Sequence, residues 1–164
     1  MSWTEVQALA VKAASGAGVP PAQALAFGAM LARHVADGGP QGALGAALSD
    51  PQLIVDLARR VETIVEAASV SATPVKATEQ DTGTRAMLVS WLSGLPCKAE
   101  LDVAGARVNV RLALAEPSTQ KRPERLVLDA GLLQQMNDLA AKTYVPDSDA
   151  SRAGGAGAGL MELD

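Results

Sequence analysis

Residues 98–115 read KAELDVAGARVNVRLALA, and this stretch decides the fold class. Ala99, Leu101 and Val103 alternate with Lys98, Glu100 and Asp102. Val108, Val110, Leu112 and Leu114 then alternate with Arg107, Asn109 and Arg111. A period of two places one apolar and one polar face on each segment, as in a half-buried strand. Gly105-Ala106 stands between them, and a two-residue II′ turn takes glycine first. The register that follows opposes Val103 to Val108 and Leu101 to Val110 on the apolar face. On the polar face it opposes Glu100 to Arg111.

Working outward, the chain before residue 69 reads as helix. Ser2-Trp3-Thr4-Glu5 fits a capping box, followed by Val6, Leu9, Ala10 and Ala13 at helical spacing. Pro20-Pro21 open a second helix to about Ala36, with Leu25, Ala29, Ala32 and Val35 expected inside. Gly38-Gly39-Pro40 stop it, and the Gly- and Ala-rich segment to Leu48 has no decisive pattern. Ser49-Asp50-Pro51 start a third helix, on which Leu53, Ile54, Leu57, Val61, Ile64 and Val65 form a stripe at period 3.6.

After Ala68 the reading is strand. Val70–Val75 is expected as an edge strand, since Pro74 disfavours a central one. Thr78–Gly83 reads as a polar loop, and Arg85–Leu92 as a buried strand carrying Met87, Val89 and Trp91. Leu126-Val127-Leu128 reads as a fourth strand. Asp129 then caps a helix from Ala130 to about Lys142. The expectation is an α+β fold, with N-terminal helices, a largely antiparallel sheet of about four strands and a C-terminal helix. One domain spans residues 1–164, with helices over 1–68, the sheet over 69–128, a helix over 129–142 and a Gly-rich tail over 143–164. That size is ordinary for one domain.

Composition narrows the function. Hydrophobic residues make up 48 % and charged residues 20 % of the 164, which is globular. Aromatic residues are only 2 %, so Ala, Val and Leu must build the core. The net charge of −4 and the scarcity of aromatics argue against a nucleic-acid partner. No apolar run of about 18 residues suggests a membrane span. The single Cys97 and a start without a secretory pattern give a cytoplasmic expectation. No cofactor or metal signature is present.

The last stretch is the most distinctive. Thr143-Tyr144-Val145-Pro146-Asp147-Ser148-Asp149-Ala150-Ser151-Arg152 leads into Gly154-Gly155-Ala156-Gly157-Ala158-Gly159. Together with Leu9–Ala14 and Gly16-Ala17-Gly18, this resembles a family of uncharacterised bacterial proteins. The resemblance implies no activity, and Met161-Glu162-Leu163-Asp164 departs from that family's Asp- and Asn-rich ending. The N-terminal helices with Gly18-Val19-Pro20 between them are also similar to the start of the malate/L-lactate dehydrogenase family. That family's Ser-His-Gly element has no counterpart in Asp37–Gly42, so no catalytic residue carries over.

From the residues alone, Ser151, Arg152, Gly154, Gly155, Gly157 and Gly159 are candidate ligand contacts. Glycine amides can form an anion-binding nest and Arg152 can add a charged contact. A flexible tail is the competing reading. His34 lacks an orienting partner by spacing and reads as structural or surface. Cys97 reads as a packed thiol, although Lys98 beside it makes a nucleophile conceivable. Glu79 and Asp81 read as solvent-facing charges. Arg107 and Arg111 share a face that could grip an anion, with Glu100 expected to occupy one of them. The function expected from this is a non-catalytic binding or assembly module. The alternative is a small-molecule or anion-binding enzyme using the Gly-rich tail. The partner is then an unknown protein or a small anionic ligand, and a homo-oligomer is compatible with the sequence.

Overall fold

The computed structural model describes residues 1–143. The candidate contacts Ser151, Arg152, Gly154, Gly155, Gly157 and Gly159 lie outside the described residues. Within them the fold is α+β: six helices and one three-stranded antiparallel sheet.

Helix α1 (Trp3–Gly16) opens with the expected capping box. The Ser2 amide donates to Glu5 Oε2 at 2.7 Å and the Glu5 amide donates to Ser2 Oγ at 3.3 Å. Helix α2 (Pro21–Ala36) crosses α1 at Gly28, where a Cβ would stand 2.5 Å from Val11 Cγ2. Of the four α2 positions expected inside, Ala32 and Val35 are buried, but Leu25 is 60 % exposed and Ala29 is exposed. Neighbours on several sides also bury Phe27, Met30, Leu31 and His34. Phe27 carries more apolar area than an alanine, and its burial sets the rotation of the helix.

The undecided Gly/Ala segment is helix α3 (Gln41–Ser49), with Leu44, Ala47 and Leu48 buried. Helix α4 (Pro51–Val70) follows directly and buries Ile54, Leu57, Val61 and Ile64 as its stripe requires. The Asp50 side chain makes no capping bond. Because α4 runs on to Val70, the expected strand over 70–75 is displaced. Strand β1 is Val75–Thr78, beginning just past Pro74.

The largest correction concerns Arg85–Leu92. It is not a strand but the body of helix α5 (Thr82–Ser93). Asp81 accepts from the Thr84 amide at 2.7 Å and so starts the helix. Met87, Leu88, Trp91 and Leu92 are buried at helical spacing.

Strands β2 (Cys97–Ala104) and β3 (Arg107–Pro117) pair in the expected register, with Val103 opposite Val108, Leu101 opposite Val110 and Glu100 opposite Arg111, and the register shifts between Cys97 and Lys98. Val108 and Val110 are buried, whereas Val103, near the turn, is exposed rather than inside. Gly105 has φ +61° and no non-glycine residue among those described has positive φ, as a II′ turn requires. The sheet order is β1-β3-β2, with three strands rather than about four. Leu126–Leu128 is not a strand of this sheet. It pairs instead with the start of the chain: Met1 N donates to Leu126 O and Leu126 N to Met1 O. Gln41 bonds both Val127 O and the Asp129 amide. Helix α6 (Ala130–Ala141) then packs on α1, again without a side-chain cap from Asp129. Helices and sheet share one apolar cluster that includes Phe27, Leu57, Leu88, Val108 and Val110.

Candidate functional site

A serine and a histidine lie within reach of each other at the centre of the helices. His34 Nδ1 is 3.0 Å from Ser90 Oγ, and His34 Nε2 is 3.3 Å from the Pro40 carbonyl. With Nε2–H donated to that carbonyl, Nδ1 is left to accept the Ser90 hydroxyl. This is the spacing of a nucleophile and its base. Burial removes that use: His34 is 0 % and Ser90 4 % exposed, so no substrate reaches the hydroxyl. Burial also pushes the His34 pKa below its ordinary value, against the opposing pull of the Pro40 and Ala86 carbonyls and Asp37. The pair is a satisfied polar link between α2 and α5. The structural reading of His34 holds, and its position is internal.

The other titratable candidates are also committed. Cys97 is a buried thiol, and the neighbouring Lys98 ammonium is engaged by Glu116 at 3.0 Å and Glu100 at 3.7 Å. Glu79 is held in an ion pair by Arg60 and is half-buried rather than solvent-facing, whereas Asp81 is the exposed cap of α5. The Thr84 amide holds the Asp81 carboxyl below its usual range. No group of three or more His, Cys, Asp or Glu among the described residues could hold a metal ion. No helix among them is long and apolar enough to cross a membrane.

Two of the concavities are lined by arginine. One, of about 600 Å³, lies on the polar face of the sheet between Lys76, Arg111, Glu100, Asp102 and Asn109. Arg111 lines it and Arg107 does not, so the two arginines do not act as one grip. Its two cations face two carboxylates, so an anion gains no net attraction there. Glu100 makes its ion pair with Lys98, not with either arginine.

The second is a cleft of about 330 Å³ between the start of α1, the end of α2, the α5–β2 turn and the segment after β3. Trp3 supplies an apolar wall. The guanidinium carbons of Arg33 and Arg122 lie 5.7 and 5.3 Å from its ring centroid, within cation–π range. Arg33 is 7 % exposed and fixed: it is ion-paired with Asp37 and donates from Nη1 to the Lys121 carbonyl at 2.9 Å. Its Nε is buried without a partner among the described residues. Arg122, by contrast, is exposed and forms no ion pair among the described residues. Gln7, Gln120, Ser93 and Ser118 complete a largely polar lining. The sequence hides this site because its walls come from four separated segments. The signal it held was the basic pair Lys121-Arg122, in the segment between β3 and α6.

No family model, curated protein or solved structure matches the chain. The functional reading therefore rests on this geometry.

Proposed function

We propose that the protein is a non-catalytic module that binds a small anion, a carboxylate or phosphate, in the Trp3–Arg33–Arg122 cleft. The observation that carries this reading is the unneutralised Arg122 guanidinium held against Trp3 beside a second, fixed arginine. In a chain of net charge −4 an anion is repelled at long range, so a local cationic site is what would hold one. A planar guanidinium suits both carboxylate and phosphate through paired N–H donors. Support for a non-catalytic role comes from the enclosure of Ser90 and His34 and from a cleft whose serines, Ser93 and Ser118, have no histidine beside them in the lining.

Thermal unfolding in the presence of inorganic phosphate and small carboxylates tests this. A saturable stabilisation is expected, reaching about 2.7 kcal/mol at a ligand concentration 100 times Kd. Arg122→Ala should remove the response, and Arg152→Ala should leave it intact. Loss in Arg152→Ala alone would transfer the site to the Gly-rich tail. A wild-type protein indifferent to every anion would refute the proposal.

A further inference from the structure

The two edges of the sheet are treated differently. Edge strand β1 has four residues, and Arg60 donates to the Thr78 carbonyl on its outer side. Edge strand β2 has eight residues, and no hydrogen bond from the described residues closes its outer side. In a two-residue hairpin Ala104 and Arg107 exchange bonds, so even-numbered residues of β2 direct their amides and carbonyls toward β3. The Pro96 carbonyl conforms, accepting from the Ser118 amide. Backbone groups of Cys97, Ala99, Leu101 and Val103 therefore point away from the sheet. Such an edge is a template for another strand.

We propose that β2 pairs antiparallel with β2 of a second copy of this chain, about a two-fold axis at Ala99, joining two sheets into one of six strands. The charges choose both the partner and the register. Odd-numbered residues carry the outward backbone groups, so a symmetric pairing sets odd residues opposite odd ones and centres either on one of these or on an even residue between them. Centring on Lys98, Glu100 or Asp102 would set that residue against its own copy, like charge on like. Centring on Leu101 would set Glu100 against the partner's Asp102 twice. Centring on Ala99 sets Lys98 against the partner's Glu100 twice, in non-hydrogen-bonded positions where side chains come closest. Lys98 keeps Glu116 and Glu100 of its own chain within 4 Å and has donors to spare for a third carboxylate. On the opposite face the same register brings Leu101, half-buried in one copy, against the partner's Cys97. Pro96 does not obstruct the pairing, because its missing N–H lies on the β3 side.

The test is the mass of the full chain in solution, by sedimentation or light scattering. Wild type should have twice the mass of one 16.7 kDa chain. Ala99→Pro removes only an outward amide and should be monomeric. Glu100→Lys places like charges across the axis and should weaken association about tenfold. Adding Lys98→Glu to it should restore the dimer, and that charge series decides the matter even if Ala99→Pro fails to fold. A wild-type monomer at millimolar concentration overturns the proposal. So does a dimer equally strong in every variant.

Discussion

At the scale of single residues, the buried His34 links acidity to stability. Its pKa is lowered from the ordinary 6.5, chiefly by burial. The unfolded chain therefore binds this proton more readily than the folded one. Stability should fall as pH drops below 6.5 and go on falling until the folded value is passed. Carboxylates such as Glu5 and Asp81, both lowered by hydrogen bonds, make their loss at more acid pH. Urea unfolding of wild type and His34→Gln, compared between about pH 5 and pH 7, separates the two groups. The variant should be less stable at neutral pH, having lost a partner for Ser90, and flatter across this interval. Parallel pH profiles would show that His34 does not carry the effect. The sequence showed that the histidine was alone; it did not show Ser90, fifty-six positions away, because burial of a polar pair has no local signature.

At the scale of elements, legibility followed the range of the forces involved. The hairpin was readable because pattern and turn agree over eighteen consecutive residues and each strand's partner is its neighbour. Gly105 at φ +61° is the point on which that turn depends, and nothing crowds the site of its missing Cβ. Gly105→Val should therefore destabilise through backbone conformation alone, by about 1–3 kcal/mol. Chemical denaturation checks this, and an unchanged midpoint would reject the turn assignment. Helix α5 defeats a strand reading for a related reason. Met87, Val89 and Trp91 satisfy a period of two, but Met87, Leu88, Trp91 and Leu92 satisfy helical spacing equally well. Asp81 as cap and the scarcity of β-branched residues were the deciding signals, and they favour helix. Leu126–Leu128 differs again: three residues can look like a strand, and only Met1 and Gln41 reveal what they bond. The cleft was least legible, since Trp3, Arg33 and Arg122 meet only once α1, α2 and the segment after β3 are in place.

At the scale of the whole molecule, the sheet and the helices depend on one another. Ala77, Val108 and Val110 from the sheet belong to the same apolar cluster as Leu57, Val61 and Ile64 from α4. A three-stranded sheet with an open polar face has too little apolar area to persist without that cover. Leu57 is 3 % exposed within the cluster, and Leu57→Ala should cost about 2–5 kcal/mol. If the cluster is one cooperative unit, that loss must register everywhere at once. Far-ultraviolet circular dichroism follows the helices, whereas labelling of the buried Cys97 thiol follows β2, where the first residue of the strand becomes reactive only when the sheet opens. Both probes should give one coincident urea transition in wild type, moved to lower urea by the same amount in Leu57→Ala. A thiol transition left in place while the helical one moves would mean that the hairpin stands without α4. A shared shift is what the packing demands, because α4, which carries Leu57, packs on β3 and contributes to the same apolar cluster as Val108 and Val110.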